Sequence, residues 1–219
     1  MVDYAELNQR LFEGGHEAVR TMVEQALAEG RPAREVLEEG LIAGMKVVGE
    51  DFKHNRVFVP EVLLAARAMK AGLAVLKPHL VASTGDAPAL AGTIVLGTVK
   101  GDLHDIGKNL VGMMAEGAGF HVVDLGTDTS AEKFVAAARE HRASVVGMSA
   151  LLTTTMVYMA TVVQKFKDAG MVDVSICIGG APTSAAFARQ IGADGHAADA
   201  ASAVELFRRL VALHTTTAR

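Results

Sequence analysis

At 219 residues the chain can hold one large domain or two modest ones, and 50% apolar content is enough to bury a real core. A net charge of −4 gives no electrostatic ground for binding nucleic acid or an anionic membrane surface. The one cysteine, Cys177, excludes an intrachain disulfide framework, suits a reducing compartment, and reads as a small buried hydrophobe in the run Val174-Ser175-Ile176-Cys177-Ile178. The start, Met1-Val2-Asp3-Tyr4-Ala5-Glu6, has neither the basic region nor the apolar run of a signal peptide, and no apolar stretch is long enough to span a bilayer. The expectation is a soluble cytoplasmic protein with no nucleic-acid and no membrane partner.

The first third of the chain is helical by periodicity. Tyr4, Leu7 and Leu11 form one short stripe. Val19, Met22, Val23, Ala26 and Leu27 repeat as one buried helix face, and Gly30 ends that helix. Pro32 sits where a first helical turn tolerates it. Leu37, Leu41, Met45, Val48 and Phe52 continue the spacing up to a break at His54-Asn55-Arg56. Pro60 starts a fourth segment, with Val62, Ala66, Met69, Leu73 and Leu76 on one face. Four short helices with one apolar stripe each bury those stripes against one another, so a small bundle is expected over residues 1–83.

Residues Ser83-Thr84-Gly85-Asp86-Ala87-Pro88 have the composition of a linker, placed at 84–90. Beyond it, over residues 91–219, short β-rich runs alternate with helical stretches. The runs are Thr93–Val99, Phe120–Leu125, Ala143–Met148, Val172–Ile178 and, more weakly, Gly195–Ala198. The helical stretches are Lys108–Ala118, Ala131–His141, Met156–Ala169, Ala181–Ile191 and Ala200–Leu213. Such alternation predicts an α/β domain, a five-stranded parallel sheet with helices on both faces, in a flavodoxin-like (Rossmann-like) order. The cleft of that order lies at the carboxyl ends of the first and third strands.

Three polar or glycine-rich stretches fall on that edge. Asp102-Leu103-His104-Asp105-Ile106-Gly107 follows the first strand, Ser149-Ala150-Leu151 the third, and Gly179-Gly180-Ala181-Pro182-Thr183 the fourth. An imidazole in a loop at a sheet edge is a good metal ligand, and a carboxylate that accepts its other N–H fixes the tautomer and raises its basicity. Gly107 removes a side chain where a bulky ligand would approach the backbone. A zinc site needs three or four protein ligands, and the other histidines (His16, His54, His79, His121, His141, His196, His214) do not cluster with His104 in sequence. Two readings stay open on spacing alone. One is a turn with an incidental histidine. The other makes His104 a single axial ligand to a metal whose remaining positions a macrocycle fills. With no Trp, two Tyr and eight Phe, the chain offers little for a haem pocket.

Asp102-x-His104-x-x-Gly107, Ser149-x-Leu151 and Gly179-Gly180, in that order, resemble the fingerprint of base-off, His-on cobalamin-binding domains. These occur in cobalamin-dependent methionine synthase, in the corrinoid proteins of methylamine and methanol methyltransferase systems, and in adenosylcobalamin mutases. The resemblance implies that His104 is the lower axial ligand to cobalt, with Asp102 hydrogen-bonded to it. It also implies that Gly107 lets the displaced nucleotide tail into the fold, and that Ser149, Leu151, Gly179 and Gly180 line or open the pocket for the tail. Asp105 and Thr153 are counted with the cofactor-binding residues, although Thr153 equally suits a helix N-cap. Thr155 matches the hydroxyl position that completes the Asp–His relay.

Gly49-Glu50-x-Phe52, Val57-Phe58-Val59-Pro60-Glu61 and Ala65-Ala66-Arg67-Ala68-Met69 are similar to the helical cap of methionine synthase and of the corrinoid methyl carriers. There Phe58 matches the aromatic over the upper face of the corrin. Leu63 and Met69 are read as ordinary bundle core. The implied function is that of a carrier rather than a stand-alone catalyst. It would shuttle a methyl group through Co(I) and methyl-Co(III) between a substrate-specific methyltransferase and a second methyltransferase acting on a folate or thiol. A reductive activator would be a third partner. A cobalamin sensor or storage module and a mutase small subunit are the alternatives.

Overall fold

The structure is a computed structural model that describes residues 1–84 and 91–217, with the side chains of 81–84 and 214–217 left aside. Its contacts divide the chain into two compact units. One comprises Met1–Leu90 with Glu116–Gly119, the other Ala91–Ala115 with Phe120–Arg219. The linker expected at 84–90 falls, except for Thr84, outside the described residues.

The first unit is helical. Helix α1, Tyr4–Phe12, begins at Asp3, whose carboxylate accepts the Ala5 N–H at 2.9 Å. Helix α2, His16–Ala28, ends as its glycine implied. Gly30 has φ +80°, its N–H donates to the Leu27 carbonyl at 3.0 Å, and the Arg31 N–H donates to that of Ala26 at 3.1 Å, the paired closure of a Schellman motif. Pro32 stands just before the next helix rather than inside it. That helix runs as α3, Ala33–Glu35, a π-helical segment, Val36–Ile42, and α4, Ala43–Lys53. Helix α5 spans Val59–Thr84.

The expectation of four short helices fails on α5, which is 26 residues long and takes Ser83, Thr84 and Pro78 within it. Elsewhere the stripes are core as read: Leu7, Leu11, Val19, Val23, Leu37, Leu41, Val62, Met69 and Leu76 are buried. Gly40 and Gly44, one turn apart, open a groove for α1. A Cβ on Gly40 would come within 2.6 Å of Leu7, and one on Gly44 within 3.0 Å of Asn8. Leu63 does not join the core; at 39% exposure it faces outward.

The second unit is the expected α/β layer. Its strands are β1 Thr93–Thr98, β2 His121–Asp124, β3 Val145–Ser149, β4 Ser175–Gly179 and β5 Gly195–Ala197. All pair in parallel, in the order β2-β1-β3-β4-β5. Helices α6 Ile106–Gly117, α7 Ala131–Glu140, α8 Thr153–Met156, α9 Tyr158–Asp168, α10 Ala185–Ile191 and α11 Ala200–Thr217 connect and close the sheet.

The fourth strand starts at Ser175, three residues later than read. Helix α10 starts at Ala185 rather than Ala181, because the Ser184 side chain caps it by accepting the Phe187 N–H. On one sheet face Val95, Val146 and Ile176 pack with Phe134, Val162 and Phe166 of α7 and α9. On the other, a Cβ at Gly147 would lie 2.5 Å from Leu96 and 3.5 Å from Phe207 of α11, and the Phe207 ring meets Phe120 edge-on at 6.3 Å.

Register does the most for function. Thr98 pairs with Ser149, and Ser149 with Gly179. The last residues of β1, β3 and β4 therefore stand in one row, and the three loops leave the sheet side by side.

Phe134 is fully buried and its ring fills the space above Gly97, where a Cβ would approach it to 2.6 Å. Phe134→Ala should destabilise the protein by about 3–5 kcal/mol, seen as a lower urea midpoint.

Candidate functional site

The Asp102 side chain is fully buried at the carboxyl end of β1. Its Oδ1 accepts the His104 N–H at 3.0 Å and lies 2.8 Å from His104 Nδ1. Its Oδ2 accepts the Leu151 N–H at 2.8 Å and the Thr155 hydroxyl at 2.6 Å. Burial by itself would raise the carboxyl pKa. The hydrogen bonds from the Thr155 hydroxyl, the His104 and Leu151 amides and the His104 ring outweigh it, and hold the group well below the usual carboxylate range. Asp102 is thus ionised at neutral pH, and His104 Nδ1 carries the proton that it accepts.

That fixes the other ring nitrogen. With Nδ1 protonated, Nε2 keeps a free lone pair, and it makes no hydrogen bond to a described residue. The His104 side chain is 52% exposed against 0% for Asp102. The ring therefore stands on a buried anchor and presents a basic nitrogen outward.

The backbone beneath is pinned at several points. The Thr98 hydroxyl donates to the His104 carbonyl at 2.9 Å, the Asp128 N–H to the Asp102 carbonyl at 3.0 Å, and the Gly101 N–H to the Asp128 carboxylate at 2.8 Å.

The sequence motifs converge on this point in different ways. Asp102, His104, Leu151 and Thr155 are directly bonded together as above. The expected hydroxyl is Thr155 itself; its Oγ1 also lies 3.1 Å from the Leu152 carbonyl. Thr153 does not cap α8: Leu152 holds the N-cap position without a side-chain bond, and Thr153 is exposed. Asp105 accepts the Asn109 side-chain amide at 3.0 Å. Ser149 ends β3, and its carbonyl accepts the Val99 N–H at 3.0 Å.

The glycines differ from one another. A Cβ on Gly107 would meet nothing within 4 Å, so open space lies beside it. Gly180 has φ +115°, and a Cβ there would strike the Ala150 carbonyl oxygen at 1.9 Å. The protein itself requires this glycine to lay the β4 loop against the β3 loop. A Cβ on Gly179 would lie 3.2 Å from the Ala197 carbonyl. Phe58 is in the other unit, just before α5. Its N–H is capped by Glu61 at 2.9 Å and its side chain is 61% exposed.

The loops around His104 carry exposed apolar side chains. Of the exposed large apolar side chains described in the second unit, all but Val172 and Leu213 lie in these loops or the turn after them: Leu103, Ile106, Leu151, Leu152 and Val157. Among the described residues, no three His, Cys, Asp or Glu side chains group as a metal site would require. One imidazole nitrogen without a described partner, exposed apolar side chains in the same loops and open space at Gly107 suit a large planar cofactor that brings its own metal. These residues fit a corrinoid.

Comparison with known proteins gives the family. Residues 92–205 match the B12 binding domain family, and residues 4–77 match a second family described as B12 binding domain. A corrinoid protein of Desulfitobacterium hafniense (strain Y51) is 42% identical over 94% of this chain and 96% of its own length. The dimethylamine corrinoid protein of Methanosarcina barkeri is 41% identical over 94% and 96%. Among solved structures, a novel cobalamin-binding protein from Desulfitobacterium hafniense DCB-2 superposes with a TM-score of 0.78 at 31% identity, covering 96% of this chain and 99% of that one. A chain of the methanol:cobalamin methyltransferase complex MtaBC from Methanosarcina barkeri does so with 0.82 at 30% identity, over 94% and 78%. The chain belongs to the B12-binding corrinoid proteins of methyltransferase systems, and cobalamin is its cofactor. No helix of the described residues is long and apolar enough to cross a membrane.

Sequence reasoning assigned no role to Thr98, Lys108, Asn109, Asp124 or Asp128, all of which hold the loop. Asn109 bonds locally, to Lys108 and to Asp105 one helical turn back; the other four find partners on other strands or loops, and no local spacing marks them.

Thr155→Val keeps the side-chain shape but removes one hydrogen bond to a buried carboxylate. It should lower apo-protein stability at neutral pH by about 1.5–3 kcal/mol in urea titrations. Because the folded pKa of Asp102 is depressed, this stabilisation is present above the ordinary carboxylate range and is lost as pH falls toward the folded value. The gap between wild type and Thr155→Val should therefore close in acid.

Proposed function

We propose that the chain is the methyl carrier of a methyltransferase system, with His104 as the lower axial ligand of a base-off cobalamin. One observation carries this reading: the outward Nε2 of an imidazole whose Nδ1–H is held by a buried carboxylate, with no group of three metal-ligating side chains among the described residues. When bound, cobalamin supplies a cobalt centre that takes up and gives up a methyl group; the Co(I)/methyl-Co(III) cycle is the finer form of this reading.

The protein's own part is to orient and to tune. Asp102 keeps His104 in the tautomer that leaves Nε2 free, and makes that nitrogen more basic. Thr155 and the Leu151 amide keep Asp102 ionised while it does so. A ligand anchored through hydrogen bonds, rather than by packing, can approach or leave the metal with little movement of the fold. The open space at Gly107 is the proposed path of the nucleotide tail, with Ser149, Leu151, Gly179, Gly180, Asp105 and Thr153 about it. Phe58, exposed at the start of α5, is proposed to contact the upper face of the corrin. Residues 1–83 are read as the cap domain, 84–90 as the linker and 91–219 as the cobalamin domain.

The likeness to a chain of a methanol:cobalamin methyltransferase complex supports a substrate-specific methyltransferase as one partner. An acceptor methyltransferase and a reductive activator complete the scheme. The relatives named for methylamines support a small methylated compound as the ultimate donor.

His104→Ala should bind hydroxocobalamin at least about 10-fold more weakly and lack nitrogen superhyperfine structure from the protein in the paramagnetic resonance of its cob(II)alamin form. An unchanged affinity and spectrum would overturn the reading. Phe58→Ala should bind cobalamin as the wild type does but photolyse faster in the methylcobalamin form. An unchanged photolysis rate removes Phe58 from the upper face.

A further inference from the structure

Among the described residues the buried polar side chains are few: Thr98, Asp102, Lys108, Thr129 and Ser175. All but Ser175 lie at the carboxyl end of β1 or in the segments bonded to it. Asp102 is accounted for by His104. Lys108 is not. Its side chain is 2% exposed, yet it carries a charge, and burying a charge is unfavourable unless it is fully paired.

The pairing is complete. Lys108 Nζ lies 2.6 Å and 2.5 Å from the two carboxylate oxygens of Asp124, the last residue of β2, and 2.7 Å from Asn109 Oδ1. The Asn109 amide nitrogen in turn donates to Asp105 Oδ2 at 3.0 Å, and its backbone N–H to the Asp105 carbonyl at 2.8 Å.

These bonds close a circuit around the histidine. Asp124 Oδ1 accepts the Gly126 N–H at 2.9 Å, and the Gly126 carbonyl accepts the Thr98 N–H at 2.9 Å. Thr98 then returns to the loop through its hydroxyl, on the His104 carbonyl. One end of the circuit holds the His104 backbone, and the other holds the side chain of the residue after it. Asp102 fixes which way the imidazole points; this second set of bonds fixes where the loop that carries it sits.

We propose that Lys108 is a positioning residue for axial ligation. Acting through Asn109 and Asp105 on one side and Asp124 on the other, it holds in place the loop from which His104 would ligate cobalt. The proposal rests on His104 being the axial ligand. It predicts a dissociable effect: losing the circuit leaves a folded protein whose histidine ligates poorly.

The test compares Asn109→Ala, Lys108→Met and the double variant Lys108→Met/Asp124→Leu with wild type and His104→Ala. Each is measured for apo-protein thermal unfolding, hydrogen exchange at the His104 amide, affinity for hydroxocobalamin, and histidine nitrogen coupling in the cob(II)alamin paramagnetic resonance. Lys108→Met leaves Asp124 unpaired and should lower stability, while the double variant, which removes both charges, should recover it. Asn109→Ala keeps the Lys108–Asp124 pair, so it decides the question even where Lys108→Met does not fold. In Asn109→Ala and the double variant the affinity should fall about 10-fold, the fraction of cobalt carrying histidine nitrogen should drop, and the His104 amide should exchange faster in the apo-protein. A folded Asn109→Ala or double variant with wild-type affinity and full histidine coupling overturns the proposal. Absence of histidine coupling in the wild type overturns the axial-ligand reading instead, and this proposal with it.

Discussion

The carboxylate of Asp102 is the interaction on which the site depends. It is taken out of water, which by itself disfavours its charge, and then given four hydrogen bonds that restore the charge more than fully. The bonds come from both sides: the Asp102–Gly107 loop supplies the His104 amide and ring, and the β3 loop and α8 supply the Leu151 amide and the Thr155 hydroxyl. A single side chain therefore ties two crossovers of the sheet together and passes the result on to one imidazole. Remove the anion and the tautomer of His104, the closure of the β3 loop and the orientation of the ring all lose their cause.

The parallel sheet makes that convergence possible. Thr98, Ser149 and Gly179 share one row, so loops far apart in sequence leave the sheet within hydrogen-bond reach. Gly180 lets the third of these loops lie against the second. Around the anchored imidazole the surface turns apolar, with Leu103 and Ile106 the most exposed of its residues. That contrast, a polar foundation under an apolar rim, suits a large planar cofactor.

Much of this is legible from residue order. Helical periodicity found the bundle stripes, because residues such as Leu7, Leu37 and Leu41 need only one apolar face to be recognised. The alternation of β-rich and helical runs found all five strands and their order class. Asp102 and His104 are legible because their bond closes within a single turn of chain. Other features need the third dimension. The π-helical segment at Val36–Ile42 hides beneath a spacing that also suits an α-helix. Helix α10 reads too early because Ala181 favours a helix, while the cap that sets its start is Ser184. Leu63 fits an apolar stripe by type but faces outward. The Lys108–Asp124 pair joins residues on α6 and β2, and its logic appears only once β2 lies beside β1 with Asp124 opposite Leu96.

The proposed function requires that the lower cobalt ligand be a nitrogen of the protein, not the cofactor's own base. The most direct test is to label the histidines of the whole chain with nitrogen-15, load it with unlabelled cobalamin, and record the paramagnetic resonance of the cob(II)alamin state. Ligation by His104 predicts that the triplet superhyperfine pattern of a nitrogen-14 ligand becomes the doublet of nitrogen-15, and that His104→Ala abolishes the doublet. A triplet that survives labelling would place the cofactor's own base on cobalt and contradict the account.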